Sequence, residues 1–379
     1  MAASSLTEAE AKRYSRHLVL PEIGSEGQSR LKASSVLIVG VGGLGVPAAV
    51  QLASAGVGRV GLMDGDTVVV SNLQRQFIFS EADVGRKKAE VAGERLRQVN
   101  PNIRVVAYDA KLDSGNALDY IGEYDVVIDA TDNLPSRYLI NDACVLLSKP
   151  DVYASAQGFD GQLSVFHPPA GPCYRCLYPF PPPHGSVRSC EEAGVMSAVP
   201  GVLGTLQAVQ AIDLILQKGS ALVGRLLVFD GFRSSFDEMK IRKSGDCVAC
   251  GPNATLTALI DYEEFCGAKH QDVSTFDVTP VELKAMLDGG AQVTLLDVRE
   301  TYEHSICHLD GALLMPLGSL VRGVQQLDRT KPLVAYCHTG VRSRSATEYL
   351  RQAGFPNVRN LKGGIDAWAE EVEPTMPRY

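Results

Sequence analysis

Near the end of the chain stands the string Cys337-His-Thr-Gly-Val-Arg342-Ser343. The apolar run Pro332–Tyr336 precedes it, and a helix-like segment, Ser343–Arg351, follows. This order predicts a cysteine closing a buried strand, then a short glycine loop, then a helix start. Loop N–H groups and the positive end of the helix dipole would face the sulfur, and Arg342 would add a full charge. All of these favour thiolate, the reactive form of cysteine. The bland alternative is a buried structural thiol, the commoner fate of a lone cysteine. The loop chemistry favours the reactive reading.

Two other constellations carry chemistry. Cys173-Tyr-Arg-Cys176 and Cys247-Val-Ala-Cys250 are paired C-x-x-C motifs, each beside a glycine or proline turn. Four soft thiolates suit tetrahedral Zn²⁺, with no open position for catalysis, so a structural zinc is expected. One pair alone would also have suited a redox site. Earlier in the chain, Gly40-Val-Gly42-Gly43-Leu-Gly45 lies between a strand and a helix pattern. Asp64 ends the next strand, close to the ~20-residue spacing of a ribose-binding acid. The bland reading here is a tight turn with no ligand.

The elements that must position these residues follow from hydrophobic period and caps. Thr7–Glu10 reads as a capping box, and the helix it opens would hold Arg13, Arg16 and His17 on one face. Strands are predicted at Ser35–Val39, Arg59–Met63, Ile103–Ala107 and Asp125–Asp129, with helices between them. This alternation predicts a doubly wound, Rossmann-like parallel sheet. Hairpins are expected over Asp151–His167, a helix over Val199–Leu216 and a strand over Arg225–Asp230. Pro179–Ser186 is a proline-rich crossover. Residues 1–260 form the first predicted domain, 261–277 a linker, and 278–379 a smaller α/β domain. Thr279-Pro-Val-Glu282 caps the latter's first helix. Its strands are expected at Val293–Asp297, Leu313–Leu317 and Leu333–Cys337.

Charged residues near the glycine loop decide between nucleotides. Arg75 lies in Ser71-Asn72-Leu-Gln-Arg75-Gln76, and Lys88 and Arg16 add two more cations. A triphosphate needs such a clamp, whereas a nicotinamide cofactor mostly needs helix N-termini. Asp129 and Asp132 follow a strand end, and either could hold Mg²⁺. Each charged residue alone is most simply a solvated surface group; their joint placement favours ATP.

On these residues, positions 7–260 resemble the ubiquitin-activating-enzyme superfamily in its MoeB/ThiF-type sulfur-carrier branch. The carrying strings are Arg13–His17, Gly40–Gly45, Asp64-Gly-Asp66, Ser71–Gln76, Lys88 and Asp129-Ala-Thr-Asp132-Asn133. Gly65 and Leu134-Pro135 depart from the pattern without removing a charge. The resemblance implies that ATP adenylates the C-terminal glycine of a ubiquitin-like sulfur carrier protein ending in Gly-Gly. It implies a nucleotide site of Gly40, Gly42, Gly43, Gly45, Asp64, Asn72, Arg75, Lys88, Asp132 and Asn133. Within it Asp64 would hold ribose, Arg75 and Lys88 phosphates, and Asp132 Mg²⁺. Arg16 would enter from the partner subunit of a homodimer. The four-cysteine zinc site is implied as well. Ser189-Cys190-Glu-Glu192 reads as a capping box with Cys190 in the first turn; the resemblance gives Cys190 an attack on a carrier intermediate.

Residues 278–379 resemble a rhodanese domain, on Leu295–Glu300, His308–Ala312, the Cys337–Arg342 loop and Leu361–Trp368. That implies a persulfide on Cys337 with Arg342 in the binding loop. Cys307 stands where many relatives have glycine. Asp297 and Arg299 read as a structural ion pair beneath the loop. Together the two modules resemble adenylyltransferase–sulfurtransferase fusions that serve molybdopterin synthesis and, in some lineages, thiamine or tRNA thiolation. The sulfur donor would be thiosulfate or a cysteine desulfurase. Competing readings are an NAD-dependent dehydrogenase, a thiosulfate sulfurtransferase with a docking domain, and a non-enzymatic scaffold.

Composition sets the outer bounds. The 379 residues suffice for two domains. A formal charge of −8 argues against nucleic acid as main partner. No membrane span and no signal pattern are read, so a cytoplasmic location is expected, with the nine cysteines as thiols or ligands rather than disulfides.

Overall fold

The computed structural model describes residues 6–168, 170–182, 194–219, 221–266 and 276–379. It divides into two compact units, one reaching Phe265 and the other running from Cys266 to Tyr379.

The first unit is built on an eight-stranded sheet. Its strands are β1 (Ser35–Val39), β2 (Arg59–Met63), β3 (Arg104–Tyr108), β4 (Val126–Asp129), β5 (Asp151–Gln157), β6 (Asp160–Phe166), β7 (Arg225–Asp230) and β8 (Ser235–Lys240). The order is β3-β2-β1-β4-β5-β6-β7-β8. Pairing is parallel from β3 through β5 and antiparallel from β5 to β8. The central strands are apolar on both faces, as sheets covered by helices must be; Val36–Ile38 and Val127–Ile128 are fully buried. Edge strand β8, which the sequence pattern does not announce, is exposed along its length and carries Asp237, Glu238 and Lys240.

Register places the chemistry. Val39 pairs with both Met63 and Asp129, and Met63 with Tyr108. Four strands therefore end on one line, and the residues just beyond them share one edge of the sheet.

Several expectations change. The first helix stops at Arg13, and a separate turn, Ser15–Leu18, follows. Tyr14 causes the break: its buried hydroxyl accepts from Asn100 Nδ2 at 2.8 Å, and its ring lies on Gly56. Arg13 and Arg16 thus do not share a continuous helical face. The expected linker begins with an ordered turn, Tyr262–Phe265, whose Tyr262 hydroxyl donates to buried Asp142 at 2.7 Å. The helix Ala198–Leu216 is by length and composition long and apolar enough to cross a bilayer. Val199, Leu203, Ala208 and Ala211 bury it in the core of the first unit.

The second unit holds a parallel sheet of β9 (Asp277–Val278), β10 (Thr294–Asp297), β11 (Leu313–Leu314), β12 (Leu333–Tyr336) and β13 (Val358–Leu361), ordered β11-β10-β12-β13-β9. β11 is shorter than expected because Leu317 already starts a helix, Leu317–Gly323. β9 begins at Asp277, the last residue of the expected linker. Alternate residues face two apolar clusters: Leu333, Ala335 and Cys337 enter one, Val334 and Tyr336 the other.

Candidate functional site

In the first unit the aligned strand ends open onto a cavity of about 470 Å³. Gly40, Gly42, Gly43, Asp64, Asn72, Arg75, Lys88, Asp132 and Asn133 line it, with Asp66, Gln76 and Lys111 among the others. Its size is that of a small-ligand site. The glycine loop is forced by space. A Cβ on Gly45 would sit 1.9 Å from the Gly40 carbonyl oxygen, so helix Gly45–Ala55 can approach β1 only without a side chain there.

Asp64 braces this loop as well as facing the cavity. Its two oxygens accept from Val41 N at 2.8 Å and Asp66 N at 2.9 Å. Burial pushes its carboxyl above the usual range, while Lys88 and the two N–H bonds pull the other way. Lys88 opens helix Lys88–Val99 and is buried, with Nζ 3.4 Å from Asp66. Lys111 pairs with the same carboxylate at 3.2 Å. Arg75 donates to the Ser71 carbonyl at 3.0 Å. Asn72 is buried in the cavity wall. Arg75, Lys88 and Lys111 thus share the cavity with the Asp64 and Asp66 carboxylates.

The two carboxylates after β4 divide. Asp129 is buried and absent from the lining; one oxygen takes Thr131 N and Oγ1 at 2.9 and 2.6 Å, and Oδ2 has no hydrogen-bond partner among the described residues. Burial pushes its carboxyl up. Asp132 is exposed on the rim of the cavity. Of the two, Asp132 is therefore the carboxylate that could offer oxygen to a hard cation. Asn133 has a second task, since its side chain caps helix Leu134–Leu146 through Ser136 N at 2.9 Å. Arg16 is exposed and does not line its own chain's cavity. Lys111 was missed by the sequence reading, although its place just after a parallel strand end is where ligands bind.

Cys173, Cys176, Cys247 and Cys250 converge, all four sulfurs lying within 4.8 Å of one another. Three separations are 3.4, 3.5 and 4.0 Å. A tetrahedron with Zn–S of about 2.3 Å has edges of about 3.8 Å, so the set fits Zn²⁺. Ser244 N donates to Cys176 Sγ at 3.4 Å, an outer bond of the kind that orients thiolate ligands. Cys190 lies outside the described residues.

In the second unit Cys337 follows β12 and is fully buried. Gly340 N donates to its sulfur at 3.2 Å, and the Ser343 hydroxyl lies 3.5 Å away. Ser343 also donates to Asn360 Oδ1 at 2.6 Å. The helix begins at Val341, two residues earlier than expected, with Gly340 left-handed at its cap. The loop rests on the Gly363–Gly364 turn. A Cβ on Gly364 would lie 2.2 Å from the His338 carbonyl oxygen.

Arg342 corrects the sequence reading. Its guanidinium is buried and forms two bonds to Glu303, at 2.7 and 2.6 Å. Its charge is therefore matched by a carboxylate rather than offered whole to the sulfur. Burial works against the Glu303 carboxylate, yet the Arg342 bonds outweigh it and hold its pKa below the usual range. Nothing in the string around Glu303 marks it out, because its partner is 39 residues away. Asp297 and Arg299 do form the expected buried pair, at 2.6 Å. Cys307 packs in the cluster on the other face of the sheet from Cys337, so the sheet separates the two thiols.

The ThiF family profile matches residues 14–249, and a rhodanese-like domain matches residues 279–371. The chain is 44% identical to the probable adenylyltransferase/sulfurtransferase MoeZ of Mycobacterium tuberculosis, covering 100% of this chain and 97% of that protein. It is 42% identical to the adenylyltransferase and sulfurtransferase MOCS3 of Culex quinquefasciatus, over 99% of this chain and 91% of the relative. Among solved structures, E. coli MccB with MccA-N7isoASN superposes with a TM-score of 0.57 at 25% identity, covering 64% of this chain and 74% of that one. The cavity with its cations, the glycine loop and the cradled cysteine agree with these matches. The chain belongs to the ThiF family, as a fusion of a MoeB/ThiF-type adenylyltransferase to a rhodanese-like sulfurtransferase.

Proposed function

We propose that this chain activates the C-terminal glycine of a ubiquitin-like sulfur carrier with ATP and then sulfurates it, for molybdopterin synthesis or a related thiolation. The reading rests on a glycine-loop cavity that brings Arg75, Lys88 and Asp64 together, and a buried cysteine that accepts a loop N–H, in one polypeptide.

In the first step the carrier carboxylate attacks the α-phosphorus of ATP, giving acyl-adenylate and pyrophosphate. Asp64 holds ribose while bracing the glycine loop. Lys88 and Arg75 neutralise phosphate charge that grows on the leaving group. Asp132 would hold Mg²⁺, which would supply further positive charge at the phosphates. Arg16, outside its own cavity, would serve a partner subunit in a homodimer. The zinc cysteines pin β6 and the segment after β8 together and take no part in chemistry.

In the second step Cys337 carries the sulfur. With thiosulfate as donor, the thiolate takes the outer sulfur and releases sulfite; a cysteine desulfurase persulfide is the other source. The Cys337 persulfide attacks the acyl carbon and expels AMP, leaving an acyl disulfide. A thiolate, Cys190 in this reading, attacks the Cys337 sulfur and releases the carrier thiocarboxylate. The resulting disulfide is returned to two thiols by an external dithiol. Adenylation matters because carboxylate oxygen is a poor leaving group and AMP a good one.

The test is mass spectrometry of candidate Gly-Gly carriers after incubation with ATP, Mg²⁺ and thiosulfate. Gain of one sulfur in place of oxygen at the carrier terminus, lost in Cys337→Ala, is expected. Sulfuration that persists in Asp132→Ala would sink the adenylation step.

A further inference from the structure

Beyond helix Gly364–Glu371 the chain turns at Glu373 and runs back to the Cys337 loop. Met376 packs against the apolar cluster that also holds Tyr336 and Trp368. Arg378 is held by both oxygens of Asp366, at 2.8 and 3.0 Å. Asp366 in turn gives its backbone N–H to the His338 carbonyl at 3.0 Å, so this clamp is anchored on the loop. Tyr379 then lays its ring on the His338 imidazole, with centroids 4.4 Å apart and planes at 11°. Its hydroxyl accepts from Arg299 Nη1 at 2.8 Å and donates to Glu303 Oε1 at 3.1 Å.

One side chain therefore touches the residue after Cys337 and both buried ion pairs beside the loop. Cys337 has no exposed surface, whereas Tyr379 is 43% exposed. The contacts differ from those of a tail that merely covers apolar surface. Stack, hydroxyl and arginine clamp all converge on the loop and its supports.

A shielded sulfur has chemical value. A free thiolate can attack the outer sulfur of a persulfide and leave with it, restoring the Cys337 thiolate and wasting the load. Burial slows that attack only while the loop stays shut.

Resting on the reading that Cys337 bears the sulfur, we propose that residues 374–379 form a strap over the sulfur-transfer loop, with Tyr379 as a positioning residue. Its ring seats His338 and its hydroxyl ties Arg299 to Glu303, which keeps the loop closed around Cys337. Lifting of the strap admits the donor and the acceptor.

The experiment uses the full chain with Tyr379→Leu and Tyr379→Phe. Alkylation by iodoacetamide is followed at Cys337 by peptide mass spectrometry, with thermal melts in parallel. Leucine removes the stack and both hydrogen bonds, and Cys337 alkylation should rise by about tenfold or more. Phenylalanine keeps the stack and should fall between leucine and the wild type. The melting temperature of the second unit should stay near the wild-type value. A melting temperature that falls in step with the rise at Cys337 means the whole unit has loosened, and overturns the strap; so does an unchanged Cys337 rate. Thiosulfate treatment of the wild type is the separate control. If Cys337 gains no sulfur, the sulfur-carrying reading fails, and the alkylation result still reports on closure.

Discussion

Replacing Glu303 by alanine would leave the Arg342 guanidinium in a buried site without the carboxylate that now accepts its two bonds. Both side chains are 2% exposed, so little water screens the loss. Removing one partner of such a pair costs about 3–5 kcal/mol, mostly as the penalty for the charge left behind. A domain of this size has roughly 5–15 kcal/mol in all, so the second unit should become marginal. The assay is urea unfolding of the full chain, followed by the fluorescence of Trp368, the one tryptophan, which reports on this unit. The double variant Glu303→Leu with Arg342→Met removes both charges and keeps volume. It should recover about 3 kcal/mol or more over the single variant. Sulfur transfer from thiosulfate to cyanide should stay low in the double variant, since the loop loses its buried anchor. The reasoning is refuted if Glu303→Ala costs less than about 1 kcal/mol, or if the double variant is less stable than the single one.

Other predictions concern the remaining sites. Asp297 and Glu303 are both held below the usual carboxyl range; in each, burial opposes and arginine bonds outweigh it. A lowered folded pKa gives stability that is full above the unfolded values, about 3.9 and 4.3, and lost as pH falls through the folded ones. Melting of the second unit should therefore drop below about pH 4, and Glu303→Gln should flatten that profile. Gly45→Ala, which collides with the Gly40 carbonyl, should abolish ATP binding measured by calorimetry while rhodanese turnover persists. Cys247→Ser should lower zinc content in elemental analysis and reduce the melting temperature of the first unit, without changing alkylation at Cys337. Asp64→Asn should weaken ATP binding by about tenfold and also loosen the glycine loop, because one side chain serves both.

The motifs were legible because they are local. A C-x-x-C pair, a glycine loop and a capping box each span a few residues, and their geometry follows from backbone rules that act over that range. The two-unit division, the strand alternation and the cysteine loop could be read for the same reason. Distance in sequence set the limit. Glu303 and Arg342 meet across 39 residues, Tyr379 and Arg299 across 80, and neither Glu303 nor Tyr379 carries a local mark. Whether Asp129 or Asp132 faces the cavity turns on one side chain being buried and its near neighbour exposed. Tyr14 broke a well-capped helix because a buried hydrogen bond to Asn100 outweighed helix propensity. The sequence by itself determined which chemical groups exist and which local frames hold them. Tertiary structure alone decided which charges are neutralised, which thiols are separated by the sheet, and what closes over Cys337, because those outcomes depend on burial and on contacts that only packing creates.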